Sequence, residues 1–222
     1  MVNFSKSEWL LALLFLVPGW VFLKTEGDLS VYFFYQVPDG QFLYLLSKLC
    51  GLFAFVFFGL QLLLGLLSSC GYQLVNKSSH RKLGLWVLVL LISHGGLFVT
   101  AASLRNQHFA YKFLLPNFFE SYYPAMVSLG LLAACLVIVG VLSAIFVRHN
   151  DGVWIWMHRL AWPAFFLAWF HSYSIGSETR IAPMPFVFGL LLASIVLAIC
   201  YRVWLGFSNR GAISEHLKRS GR

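Results

Sequence analysis

Two long apolar blocks, Phe42–Ser69 and Leu83–Ala102, constrain this chain more than any other feature. Each is long enough to supply the roughly 20 residues that carry a helix across the hydrocarbon of a bilayer. A helix satisfies its own backbone there, which an isolated strand cannot do. Of the 222 residues, 59% are apolar and 11% charged, against about half and about a quarter in an ordinary soluble domain. Such a chain has too little polar material to cover itself in water. The expected fold is an all-α polytopic membrane bundle, one domain over residues 1–222.

Hydropathy places six spans at about 9–23, 42–69, 83–104, 123–147, 153–174 and 182–207. The first has the length of a signal peptide, and Lys6 precedes it. No small-x-small cleavage site follows, only Val21, Phe22, Leu23 and Lys24, so it reads as a retained helix that Pro18-Gly19 bends or shortens. Cationic residues accumulate on the cytoplasmic side of membrane proteins. The N-terminus, second and fourth loops and C-terminal tail hold Lys6, Lys77, Arg81, Lys82, Arg148, Arg159, Arg202, Arg210, Lys218, Arg219 and Arg222. The opposite side holds Lys24, Lys48, Arg105, Lys112 and Arg180, together with Glu26, Asp28, Asp39, Glu120 and Glu178. Both termini are therefore expected in the cytoplasm, and an even number of spans agrees with that.

The net charge of +8 does not point to nucleic acid, because the basic residues sit in short connections and not on one soluble face. Cys50, Cys70, Cys135 and Cys200 lack the close spacing of a zinc or dithiol site and read as small apolar fillers. There is no nucleotide-binding loop, and no soluble domain of even about fifty residues remains outside the spans. The aromatic connections Val31–Tyr35 and Phe113–Tyr123 suit an interfacial belt, with a docking surface for a redox partner as the sharper alternative.

The chemistry lies in the histidines. His108, His149 and His216 fall in loops or the tail, whereas His80 and His94 flank the third span, and His158 and His171 the fifth. A polar ring in hydrocarbon needs a partner, so an intramembrane histidine is a functional candidate by default. Separations of 14 and 13 residues correspond to roughly 20 Å along a helix. The third and fifth spans run the same way, which sets His80 level with His158 on the cytoplasmic side and His94 level with His171 on the outer side. Two haems, each ligated by one neutral imidazole from each helix, fit that arrangement.

Angle fits less well than height. At about 100° per residue, a step of 14 returns to within about 40° of the same face, but a step of 13 misses by about 140°. Pro163 lies between His158 and His171, and a distortion near Trp162-Pro163 is expected to re-aim one ring. Gly84, Gly95 and Gly96, beside the third span's histidines, would admit a macrocycle or simply pack helices. Lys48, Arg81, Arg105 and Arg159 are candidate partners for haem propionates, alongside Lys82 and Arg180. Snorkelling to the interface is the ordinary role of such residues. Lys48 stands out because it lies inside an apolar block.

The run His80-Arg81-Lys82-Leu83-Gly84 with His94, and Trp156-Met157-His158-Arg159-Leu160 with His171-Ser172, resembles the ferric reductase-like transmembrane domain family, which includes NADPH oxidases, ferric reductases and a stand-alone bacterial haem-binding membrane subunit. The resemblance spans essentially the whole chain. It implies a six-helix bundle in which His80 and His158 hold an inner b haem and His94 and His171 an outer one. Electrons would pass from a cytoplasmic donor to an acceptor outside, namely a ferric chelate, oxygen or a redox protein. The sequence lacks the fused flavin and nicotinamide domain of the oxidases. In that respect it is similar to the stand-alone subunit, which implies a separate flavoprotein reductase or a quinol as donor and a bacterial inner, or plasma, membrane as location. His80 leans the chain toward the four-ligand pattern. Cytochromes that take four ligands from four helices are a rival, as is a non-redox transporter or assembly factor with structural or proton-relay histidines. Such relays usually recruit Asp or Glu, which the predicted spans nearly lack.

Overall fold

The computed structural model describes residues 6–72, 74, 76–146 and 152–220, and every long element among them is helical. The helices are α1 (Lys6–Glu26), the single turn α2 (Val31–Phe34), α3 (Gln41–Ser69), α4 (Lys77–Asn106), α5 (Tyr122–Phe146), α6 (Gly152–Arg159), α7 (Ala161–Ile175) and α8 (Met184–Ser220), with short 3₁₀ turns at Tyr111–Leu114 and Glu178–Arg180. Among the described residues, four helices are long and apolar enough to cross a membrane: α3, α4, α5 and the Met184–Phe207 part of α8. The expected first span coincides with α1, and the fifth is divided between α6 and α7. Val147, Arg148, His149 and Arg222, which entered the span limits, histidine count or topology count, lie outside the described residues.

The apolar surface is turned outward. In α4 the most apolar 18-residue window is only 17% buried inside the protein, and in α5 only 22%. Trp86, Val89 and Ile92 are each more than half exposed. A soluble monomer rarely tolerates continuous apolar faces of this kind, whereas hydrocarbon accommodates them. Cys135 and Cys200 are exposed and Cys50 and Cys70 partly so.

α3 is the central helix. It packs antiparallel to α4, since Gly40 meets Ala101, Gly51 meets His94 and Gly65 meets His80. Gly40 has φ +74°, and a Cβ there would lie 2.5 Å from the Ala101 carbonyl oxygen, so α3 enters against α4 where only glycine fits. α5 runs antiparallel to the α6–α7 segment in the same way, Gly130 meeting His171 and Gly140 meeting the Met157 carbonyl. The two helical pairs join through a core in which Phe55 stacks on Phe188 at 4.1 Å and on Phe165 at 5.6 Å, with Phe58 edge-on to Phe165 at 6.0 Å.

α4 begins at Lys77, earlier than hydropathy indicates, because its first turn is polar and held by a cap. Asn76 is extended (φ −73°, ψ 158°) and its side chain accepts the Ser79 N–H at 2.7 Å, an N-cap arrangement. His80 thereby belongs to the first turn of the helix, its N–H donating to the Asn76 carbonyl at 3.1 Å. Asn76→Ala is expected to lower stability by about 1 kcal/mol, read as a lower thermal midpoint in detergent.

Candidate functional site

The four histidines singled out from the sequence meet in two pairs. His80 and His158 have ring centroids 6.3 Å apart with planes at 65°, and His94 and His171 have centroids 6.4 Å apart at 70°. Two imidazoles bound through nitrogen on opposite sides of one metal atom, at about 2 Å per bond and about 1.2 Å from nitrogen to ring centre, would have centroids roughly 6.4 Å apart. Both pairs have that separation.

The 13-residue step crosses a helix break, located just upstream of the proline. Pro163 has no N–H to give the Arg159 carbonyl, and its ring crowds that carbonyl. The chain therefore ends α6 at Arg159 and restarts at Ala161, with Leu160 between them (φ −61°, ψ −17°) donating to the Met157 carbonyl at 3.2 Å in a tighter turn. Pro163 then occupies the first turn of α7, where a missing donor does no harm. His158 and His171 thus belong to two helices, α6 and α7, and each ring meets its partner on α4, at 6.3 and 6.4 Å between centroids.

Each ring of the second pair is oriented by its other nitrogen. His94 Nδ1 lies 2.9 Å from the Ser47 carbonyl and 3.1 Å from Ser47 Oγ, which itself donates to the His94 carbonyl at 2.8 Å. His171 Nδ1 lies 2.7 Å from the Met126 carbonyl. A carbonyl only accepts, so Nδ1 carries the proton in both rings and Nε2 keeps a lone pair, the arrangement typical of metal-ligating histidine. In the first pair, Trp154 stacks on His158 at 5.4 Å with planes 8° apart, and Gln61 Nε2 donates to the His80 carbonyl at 2.7 Å. Gln61 Oε1 is buried with no hydrogen-bond partner.

Glycine acts where sequence reasoning did not look. Gly95 and Gly96 face open space and Gly84 meets Gln61, while Gly51 and Gly130 carry the His94 and His171 rings. These two glycines come from helices α3 and α5, remote in sequence from the histidines, so only their presence in apolar runs was visible beforehand. An open pocket lies around the second pair, and Ala54, Ala133, Ala134 and Ala168 are among its small lining residues.

The cationic candidates behave differently from one another. Lys48 is enclosed and ion-paired to both Glu26 and Glu178, whose side chains are 9% and 6% exposed. With both acids ionised the triad is net negative, which disfavours Lys48 as a partner for a further carboxylate. Tyr32 donates to Glu26 at 3.2 Å, and burial followed by the Glu26 charge pushes its phenol up. Arg105 bonds Gln41 and lies 5.8 Å from the Tyr44 ring, Arg159 covers Trp156 at 5.4 Å, and Arg81 is exposed. The exposed Phe119 and the Tyr111–Leu114 turn sit in the long aromatic connection, which Phe113 fastens to Phe98 on α4 at 5.0 Å.

Among the described residues, no group of three or more His, Cys, Asp or Glu side chains converges. A bare ion at either pair would lack the four or more ligands that zinc or calcium takes. Two imidazoles at this separation fit a metal whose remaining positions come from a macrocycle. Neither a protein-family model, a curated protein nor a solved structure matches the chain.

Proposed function

We propose that this protein is a di-haem b-type cytochrome of the ferric reductase-like kind. In that reading it is a six-span bundle with both termini in the cytoplasm, moving electrons across a plasma membrane. The observation that supports it best is the separation of both histidine pairs, 6.3 and 6.4 Å, which suits two imidazoles that would hold one haem iron between them. α1 and the α6–α7 segment are then the two spans beyond the four long apolar helices. His80 and His158 hold the inner haem, and His94 and His171 the outer haem. Bound haem supplies one-electron chemistry.

The chain's own residues orient the rings and keep water out. The Nδ1–H groups of His94 and His171 rest on helix carbonyls, so each ring presents Nε2 in the neutral form. Phe55, Phe58 and Phe165 fill the volume at the level between the two pairs with apolar rings. Arg81 and Arg159 at the inner end and Arg105 at the outer end are exposed cations that would pair with propionates. The donor is a separate flavoprotein reductase or a quinol, and the acceptor is a ferric chelate, oxygen or a redox protein outside.

Purified protein is expected to give a b-type reduced-minus-oxidised spectrum with two haems per chain. A colourless protein overturns the proposal and leaves a non-redox transporter or assembly factor. A ratio near one removes one of the two sites.

A further inference from the structure

We propose that Gly51 and Gly130 are positioning residues that set the orientation and donor strength of the His94 and His171 ligands. The inference rests on the haem-ligand reading above. In each case the carbonyl that receives Nδ1 belongs to the residue four positions before the glycine, Ser47 before Gly51 and Met126 before Gly130. In a helix that carbonyl already accepts the N–H of the residue four positions later, here the glycine itself. Its second lone pair is open to another donor, but a side chain at the later position would cover it. Glycine leaves it uncovered, and the histidine ring occupies the vacated space.

The fit is tight on both helices. A Cβ at Gly51 would lie 2.8 Å from His94 Nδ1 and 2.9 Å from Cε1, and one at Gly130 would lie 2.6 Å and 2.7 Å from the same atoms of His171. Gly65, which faces His80, would keep 3.4 Å, and Gly189 and Gly206 face open space. The same three-part device, glycine, preceding carbonyl and histidine, therefore occurs once on α3 and once on α5, on the two sides of one centre. An Nδ1–H held on a carbonyl makes Nε2 a stronger donor, which favours the oxidised iron and lowers the potential of that centre.

The test uses full-length protein in detergent. Gly51→Ala and Gly130→Ala are each expected to raise the midpoint potential of the outer haem and alter its strongly anisotropic low-spin electron paramagnetic signal, the signal expected for imidazole planes near perpendicular. The inner haem should keep both properties and serves as an internal report on folding. Gly189→Ala and Gly206→Ala should change neither haem. Two haems with unchanged outer potential and signal in both alanine variants would overturn the inference and leave the di-haem reading intact. A colourless wild type would instead remove the haem reading itself. If a variant loses both haems, the wild type decides: in heavy water the Nδ1 protons of the outer ligands should exchange slowly by electron–nuclear double resonance. Rapid exchange at both overturns the inference.

Discussion

His171→Ala is expected to halve the haem content of the purified protein, with His94→Ala doing the same and each leaving the inner spectrum in place. The expectation follows from how the two centres are built. Fourteen helical residues separate His80 from His94, roughly 21 Å of axis, and the aromatic core around Phe55 and Phe165 lies between the two levels. The two pairs also rest on different neighbours: the second is fastened to Ser47 and Met126, and the first is packed by Trp154. Removing one histidine of a pair should therefore empty one site, because an alanine leaves the remaining imidazole without its partner. Equal loss of both haems in every single variant would show that the sites are not independent. His80→Ala and His158→Ala should give the complementary result, keeping the outer spectrum. Haem content by pyridine haemochromogen against protein concentration is the measurement.

Lys48→Met is expected to destabilise the protein by about 3–5 kcal/mol, the range found when one partner of a buried ion pair is removed. Glu26 ends α1, Lys48 stands in the second turn of α3, and Glu178 lies in the 3₁₀ turn after α7. Three segments distant in sequence are thus held by one ammonium group. Deleting that group leaves two enclosed carboxylates side by side with no cation between them. The triple change Lys48→Met, Glu26→Gln, Glu178→Gln should recover much of the loss, since replacing a whole buried ion network by neutral groups is often close to neutral. Thermal midpoints in detergent for the single and triple variants test this. A single variant as stable as wild type would mean that the triad contributes nothing. A Lys48 that served a haem propionate would instead show a changed outer potential with little change in stability.

Much of the helical layout was legible because hydropathy reports length and apolarity directly. The blocks 42–69 and 123–147 correspond to α3 and α5 within a residue or so. The start of α4 was missed for a definite reason: Lys77 to Lys82 is polar, and a capped polar turn carries no hydropathic signal. The fifth span was recognised as one segment, and its proline as a source of distortion. Where the helix breaks depends on the carbonyl that the proline displaces, four residues upstream, and the break came at Leu160.

Histidine type, number and spacing marked the candidate centres from the sequence alone, because a titratable ring in an apolar run is conspicuous. The sequence could not say which backbone carbonyls would receive the Nδ1 protons, nor that Gly51 and Gly130 would carry the rings, because glycine in an apolar helix looks the same whether it faces lipid or a neighbour. It also marked Lys48 as the leading candidate partner for a haem propionate, because it lies inside an apolar block, and could not show that Glu26 and Glu178 pair with it instead. What the sequence determined was the helical, membrane-compatible character of the chain and the heights of its histidines, both of which depend on residue order along one axis. Ring-to-ring distance, carbonyl access past a missing Cβ and the Glu26–Lys48–Glu178 triad were decided by tertiary structure alone, because each depends on how separate helices rotate and approach one another.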